Sequence, residues 1–392
     1  MLPSLPPEVV QVIVSLLKSP RDLCQLRLVC SKLRDIVDHD CVWSKLCRDQ
    51  FGVSVSSQDD FGSRVYYQHF AHKFGPCVGL WQRTNLKFYG GLMKITFCQK
   101  SKSLLLMNLI PNTDIKQDLR EQVFLSITLG EEKDIIITNH DLLTSKEKAE
   151  IRLPPDSEEE LSVAIPSMID YIASPAEWRD LLDHFRAWDT TANTESALMK
   201  FVSVYHSRNM FTFSRVLTPA WVTEHHGDHV SGSAQLSGLK PGLFKGMYGA
   251  HGVEVVHLRD GQVVKVTGDP NVPFNQVTFR VTMKNKIVLP LERQTTVEDI
   301  IQATVDDYND YMIDGDRETD TYDFRVPESM VERIPIPFEK CLGRWVGEAQ
   351  IAAHMFVDSS FIPANFILFS QDEFAVMFLD LNCISMFYRV KS

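Results

Sequence analysis

The chain of 392 residues lacks long apolar runs, basic clusters and paired cysteines, and each lack excludes a class of function. Its longest apolar run, Leu104-Leu105-Leu106-Met107-Asn108-Leu109-Ile110, falls far short of the roughly 20 residues that a spanning helix requires, so no membrane partner is expected. The N-terminus has no basic stretch leading into an apolar one, which argues against secretion. Eight cysteines, at positions 24, 30, 41, 47, 77, 98, 341 and 383, form no C-x-x-C pair. Dispersed thiols of this kind act as small buried hydrophobes in a reducing compartment, so the expected localisation is cytoplasmic, nuclear or both. Lys and Arg number 40 against 51 Asp and Glu, a net charge of -11, and no window of basic residues interleaves with aromatics. Nucleic acid, whose phosphates demand a concentrated basic face, is therefore not an expected partner.

Cofactor signatures are equally sparse. Gly246, Gly249 and Gly252 are followed by β-branched residues and open no helix, which excludes the dinucleotide reading of such a run. Thr267-Gly268-Asp269 echoes a phosphoryl-transfer ATPase, but the phosphorylated-aspartate motif and the membrane helices of that class are missing. His225-His226-Gly227-Asp228-His229 has the residue types of a metal site. It lies in a Gly/Ser-rich stretch without a second ligand set, so no metal and no cofactor are expected.

What is present is a globular composition, 44% hydrophobic and 23% charged, long enough for one large domain and a small one. The N-terminal stretch runs Leu5-Pro6-Pro7-Glu8-Val9-Val10, then Ile13, Leu16, Leu17, Asp22-Leu23, Leu26, Val29-Cys30, Leu33-Arg34, Ile36-Val37, Asp40 and Trp43. Prolines at a helix start and apolar residues recurring at three and four predict three short amphipathic helices. Helices so short need a surface to dock on, and about forty residues offer little core of their own, so spare apolar surface is expected as a docking face. Either that face meets another chain, or the helices form a generic cap on their own barrel. Cys41 to Phe51 continues as a helix with Gly52 as its C-terminal cap, and Phe61 to Phe74 predicts a further helix that braces the modules.

From Val78 the texture changes to short β-prone runs. Strands are expected at Leu92–Cys98, Leu104–Ile110, Val123–Leu129, Asp134–Asn139, Phe211–Leu217, Leu243–Tyr248, Val253–Leu258, Val263–Thr267, Val277–Val281, Ile287–Leu289, Trp345–Ala353, Phe366–Phe369, Phe374–Leu379 and Ile384–Val390. Asp260-Gly261 is a hairpin signal. Ser174-Pro175-Ala176-Glu177 opens a helix whose apolar face carries Trp178, Leu181, Leu182, Phe185 and Trp188, suited to plug a barrel end. Asp306 to Asp323 holds seven Asp and one Glu against a single Arg and reads as a solvated, mobile loop. The fold class is thus α+β: a helical module over 1–50, a helical linker over 51–76, and a large antiparallel β-barrel over 77–392, closed to remove its edges and capped by one or two helices.

The N-terminal pattern resembles an F-box. That resemblance implies docking on the adaptor Skp1, and through it on cullin and RING subunits, by Leu5, Pro6, Glu8, Val9, Ile13, Leu16, Leu17, Leu23, Leu26, Val29, Cys30, Leu33, Ile36 and Trp43. A narrower resemblance, to the F-box only protein 31 family, rests on Lys240-Pro241-Gly242-Leu243-Phe244-Lys245-Gly246-Met247-Tyr248-Gly249-Ala250-His251-Gly252 and on Lys265 through Pro273. Gly79-Leu80-Trp81-Gln82, Tyr89-Gly90-Gly91 and Phe366-Ile367-Leu368-Phe369 add to it. The resemblance implies a substrate receptor of a cullin-RING ubiquitin ligase whose barrel captures C-terminal segments of proteins, amide-terminated proteins and D-type cyclins being the associated classes. The family's Cys/His zinc insert is not matched, because Ile127 to Pro155 offers His140 and no cysteine.

Such a receptor needs no nucleophile. It supplies effective concentration, and the question becomes which residues line the pocket. Lys265 and Thr267 alternate on a predicted strand, and Gly268-Asp269-Pro270 bends the chain at its end. Lys265 suits a terminal carboxylate, and Asp269 suits the donors of a terminal amide. Asp269 equally suits an Asx turn before proline. Asn271, Tyr248 and His251 complete the candidate set, with His251 alternatively a simple turn residue. Two competing readings are a Skp1-bound scaffold without ligase activity and a β-barrel enzyme or small-molecule binder.

Overall fold

The structure, a computed structural model, describes residues 5–55, 61–85, 88–112, 114–140, 150–152, 160–164, 200, 210–216, 240–259, 261–283, 285–313, 320–331 and 336–391. The expected helix from Ser174 and the His225–His229 cluster lie outside these residues.

Four helices open the chain: α1 (Pro7–Ser15), α2 (Pro20–Arg27), α3 (Ser31–Val37) and α4 (Asp40–Phe51). Pro7 and Pro20 occupy first-turn positions where no intrahelical donor is lost, and the Ser19 hydroxyl accepts from the Asp22 N–H at 3.2 Å. Gly52 ends α4 in the left-handed region at φ 69°, as its position predicts. The brace follows as α5 (Ser63–Tyr66), a π segment at Tyr67–Ala71 and α6 (His72–Phe74). One apolar cluster runs from Val10, Val14 and Leu23 through Trp43, Tyr67 and Phe70 to Trp81, Ile95 and Leu125. The helices and the first strands therefore share a core.

The strands divide into two sheets. The first is open and antiparallel: β1 (Gly79–Arg83), β2 (Leu92–Cys98), β3 (Ser103–Ile110), β4 (Arg120–Leu129), β5 (Ile135–Asn139), β6 (Glu150–Arg152), β7 (Glu160–Ala164) and β8 (Met210–Arg215), in the order β5-β4-β3-β2-β1-β8-β7-β6. The second contains β9 (Gly242–Met247), β10 (Val253–Arg259), β11 (Gln262–Lys265), β12 (Val277–Val281), β13 (Lys286–Ile287), β14 (Met312–Ile313), and, after the small pair β15 (Tyr322–Asp323) and β16 (Lys340–Cys341), β17 (Gly343–Ala353), β18 (Val357–Ser370), β19 (Glu373–Phe378) and β20 (Cys383–Arg389). Its order is β12-β11-β10-β9-β20-β19-β18-β17, and pairing of β12 with β17 closes eight strands into an antiparallel barrel.

The expected barrel is present, but it spans Gly242 to Arg389, and the strands from Gly79 to Arg215 form the open sheet beside it. Short strands and turns have the same period in both architectures, so only the β12–β17 pairing tells them apart. Phe366 and Leu368 point into the barrel with Phe244, Phe279 and Phe374, while Ile367 and Phe369 point outward. Both faces of β18 are buried, which is why Phe366-Ile367-Leu368-Phe369 reads as an unbroken apolar run. Part of the outer face is covered by the chain between Ile287 and Cys341, and part by the open sheet through Leu92, Leu119 and Val216 against Leu243, Val255 and Val266.

The acidic stretch differs from the mobile loop expected of it. Its described ends form the short helix Tyr308–Tyr311 and the strands β14 and β15, because Arg293 bonds the Tyr311 hydroxyl at 3.1 Å and Asp307 at 3.4 Å. Asp323 pairs with Lys340 at 2.9 Å. Residues 314–319 lie outside the description.

Candidate functional site

The N-terminal helices sort their apolar residues into a core and a surface. Leu23, Leu33, Ile36 and Trp43, assigned to the docking face from sequence, are buried in the chain's own core, and the Trp43 indole N–H donates to the Val37 carbonyl at 2.7 Å. They support the face and do not belong to it. Periodicity alone could not separate the inward stripe from the outward one on helices this short. Leu17, Leu26 and Cys30 pack half-buried at its edge. Leu5, Val9, Ile13, Leu16 and Val29 are exposed, together with Val12 and Leu28, which the sequence reading missed. Leu16, Leu28 and Val29 expose 66%, 72% and 67% of their surface, values that a sealed cap on the barrel would not leave. Pro6 and Glu8 are exposed beside them.

The second site lies where β10 and β11 leave the barrel. Val256 faces Lys265 across this hairpin and Phe244 across β9, so Glu254, Val256 and Lys265 share the interior face. Opposite Glu254 stands Gly246, whose missing side chain leaves room for the Phe387 ring, which an added Cβ would meet at 2.5 Å. Gly261 carries the hairpin turn at φ 70°. The Lys265 ammonium stands 2.6 Å from the Glu254 carboxylate and 2.6 Å from Asp269, with the Tyr248 ring centroid at 4.1 Å. Lys265, Glu254 and Asp269 are no more than 2% exposed. The other Asp269 oxygen accepts from the Asn271 N–H at 2.6 Å and the Val272 N–H at 3.0 Å, the Asx turn that the sequence offered as an alternative.

This arrangement corrects two expectations. Lys265 is not free for a substrate carboxylate, because two buried carboxylates already hold it. Thr267 does not share its face, because β11 ends at Lys265 and the Thr267 hydroxyl accepts from the Val255 N–H at 2.8 Å. Asn271 donates to the Ala352 carbonyl at 2.8 Å, fastening the tip of the β17–β18 hairpin to the turn. Tyr248 shares a 3.2 Å hydroxyl contact with Thr278. The His251 side chain is 30% exposed, and its Nε2 is 4.0 Å from Asp269.

Burial pushes the Glu254 carboxyl up to about 8, against the pull of Lys265. Burial raises Asp269 too, but the Lys265 charge and its hydrogen bonds hold it well below the usual carboxylate range. For Lys265, burial is outweighed by Glu254 and Asp269, which keep the ammonium above its ordinary value. Burial lowers His251, and burial together with the Asp269 charge pushes the Tyr89 hydroxyl up to about 12. Among the described residues His251 Nδ1 and Tyr89 Oη are buried without a hydrogen-bond partner, and Tyr89 is tied to the turn by its carbonyl, which accepts from the Gly268 N–H at 2.9 Å.

Glu254 and Tyr89 were missed as site residues. A lone acid inside Val253-Glu254-Val255-Val256 was the available signal, since an acid in a fully buried strand needs a cation beside it. Where zinc ligands were sought, His140 contacts the Ser126 hydroxyl at 2.8 Å. No cluster of His, Cys, Asp and Glu among the described residues is arranged to hold a metal ion.

Residues 2–49 match the family model described as F-box-like, and residues 228–392 match the one described as Cyclin D1 binding domain. F-box only protein 31-A of Xenopus laevis is 25% identical over 99% of this chain and 84% of its own length. F-box only protein 31 of Rattus norvegicus is 24% identical over the same shares, and that of Homo sapiens is 26% identical over 77% of this chain and 56% of its own. An exposed apolar face on the first helices, a closed barrel behind them and similarity along nearly the whole sequence agree: the chain is a homologue of F-box only protein 31, with an F-box-like region at one end and a region matching the cyclin D1 binding domain at the other.

Proposed function

We propose that the chain is a non-catalytic substrate receptor of a Skp1–cullin–F-box ubiquitin ligase, acting inside the cell. The carrying observation is the apolar face left open by α1 and the α2–α3 junction: Val9, Val12, Ile13 and Leu16 beside Leu28 and Val29. An exposed apolar patch of this kind on a monomer marks a protein interface, and the F-box-like match supports the adaptor as its partner. Residues 1–50 dock the adaptor, 51–76 brace the module against the open sheet, and 77–392 present the substrate. Ubiquitin is transferred by other subunits, and the receptor contributes proximity.

The captured group is a C-terminal tail of a protein, carried to a cluster that favours a primary amide over a free acid. Ionised Asp269, which only accepts hydrogen bonds, receives the N–H donors of the amide. Unpartnered atoms of His251 and Tyr89 lie ready for the same guest. A terminal carboxylate gains nothing from Lys265, whose charge is already balanced, and is repelled by Asp269. D-type cyclins are a second substrate class that the matched domain brings to mind for this chain.

A panel of peptides differing only in a free-acid or amide terminus, titrated against the chain bound to Skp1, tests the reading. Amide termini should bind at least tenfold tighter, and Asp269→Asn should narrow that ratio. Unchanged affinities and rank order in Asp269→Asn would remove Asp269 from recognition. Recovery of Skp1 without a cullin in pull-down would leave the scaffold reading in its place, and recovery of neither would leave the small-molecule reading.

A further inference from the structure

A cavity lies away from the Asp269 cluster, between the open sheet and the outer face of the barrel, with a volume of about 600 Å³. That volume falls within the usual range of small-molecule sites. One wall is the β1–β2 surface, where Leu80 pairs with Lys94 and therefore shares its face with Thr96 two residues on. Leu119 extends this wall, and Leu243 and Val390 form the other, joined by a 2.9 Å bond from the Val390 N–H to the Leu243 carbonyl.

The charges at the rim do not cancel. Glu121 is taken by Lys94 at 2.8 Å, and Asp372 by Arg389 at 2.8 Å. The Arg389 guanidinium spends its other donors on the carbonyls of Gln371, Pro241 and Lys240 and lies over the Phe244 ring at 4.4 Å. Lys240 and Lys391 also line the cleft, and among the described residues neither makes an ion pair. The Arg389 bond to the Lys240 carbonyl, at 2.9 Å, brings the two segments that carry these lysines side by side. On a chain of net charge -11, a half-open apolar cleft with two cations at its edge that no described acid pairs is a local reversal of sign.

We propose that this cleft binds an amphipathic monocarboxylate: an apolar body along Leu80, Leu119, Leu243 and Val390, and one carboxylate held by Lys240 and Lys391. Apolar walls exclude a compact polar anion such as phosphate, which would leave most of the cleft unfilled and strip its own hydration for two exposed lysines. Charge at the rim selects against a cation of the same shape. The site is formed by residues outside the tail-capture cluster and does not depend on that function.

Calorimetric titration of dodecanoate, below its micellar concentration, into the full chain tests the proposal. One saturable site is expected, with dodecylammonium binding at least tenfold more weakly. Lys240→Glu combined with Lys391→Glu should weaken dodecanoate at least tenfold, and Thr96→Trp, which fills the cleft from a half-buried position, should abolish it. Leu16→Glu, on the unrelated helical face, should leave it unchanged. Thermal melts establish that each variant is folded. Equal binding of the amine and the acid, an undiminished affinity in Thr96→Trp, or loss of binding in Leu16→Glu would overturn the assignment.

Discussion

Lys265 and Asp269 form a buried ion pair at 2.6 Å, four residues apart, across the end of β11. Asp269 does two things at once: one oxygen neutralises the ammonium, and the other closes the turn through Asn271 and Val272. Removing one partner of a buried pair costs about 3–5 kcal/mol where it leaves an uncompensated charge, and Glu254, 2.6 Å from the same ammonium, makes that an upper bound here. Asp269→Ala is therefore expected to lose up to that much stability, part of it from the turn N–H groups left without an acceptor. Asp269→Asn should lose less, because its amide oxygen still accepts the turn N–H groups. Denaturant midpoints of the two variants check the order, and an Asn variant as unstable as the Ala variant would show that the charge alone matters.

The same cluster makes stability depend on pH in a way that one substitution isolates. Burial raises the Glu254 carboxyl in the folded chain from its ordinary value of 4.5 to about 8. Between those limits the folded state binds more protons than the unfolded one, so this group's contribution falls as pH rises. Asp269 acts in the opposite sense: held below its ordinary value of 3.8, its contribution is present above that pH and is lost on acidification. Glu254→Gln should therefore gain stability relative to the unsubstituted chain as pH is raised from 5 to 8. A difference in melting free energy that stays flat across this window would show that Glu254 is ionised in the folded state.

Those two carboxylates also show where sequence reasoning stops. The β2 strand at Leu92–Cys98, the Gly52 cap and the Gly261 hairpin were legible because each is a local rule: alternation, a left-handed cap, a tight turn. Asp269 was legible as a turn residue for the same reason. The second carboxylate at Lys265 was not, because the Glu254–Lys265 contact depends on the register of β10 against β11, which no local pattern encodes. Closure by β12 against β17 joins segments some seventy residues apart and is invisible for that reason. On the first helices the apolar stripe was legible, but its division into core and docking face requires the brace and the open sheet that fill one side.

That division yields a contrast between two residues of the same segment. Leu16 is exposed, and Trp43 is 1% exposed with its indole bonded to Val37. Leu16→Glu should change stability by no more than about 0.5 kcal/mol, as an exposed position allows, while weakening Skp1 capture at least tenfold. Trp43→Ala should cost about 3–5 kcal/mol by emptying the core beneath the face. Differential scanning fluorimetry and Skp1 titration on both variants read the two effects separately. Full Skp1 affinity in Leu16→Glu would place the adaptor elsewhere.

Gly90 joins the open sheet to the barrel through a bridge to Thr267. Its φ is 62°, and an added Cβ would lie 2.5 Å from the Val266 carbonyl oxygen and 2.8 Å from Phe274 Cβ. Backbone cannot yield as a flexible side chain does, so Gly90→Ala combines a left-handed alanine with a collision at the seam and should destabilise the chain by about 1–3 kcal/mol. Gly249 supplies the control: its φ is 55°, yet nothing lies within 4 Å of the added carbon. Gly249→Ala carries the conformational strain alone, about 1 kcal/mol. The excess loss in Gly90→Ala over Gly249→Ala, read from denaturant unfolding, measures how tightly the seam is packed. Equal losses in the two variants would mean that the sheets separate locally to admit the methyl group, and the close approach of Gly90 to Val266 would then contribute nothing to holding them together.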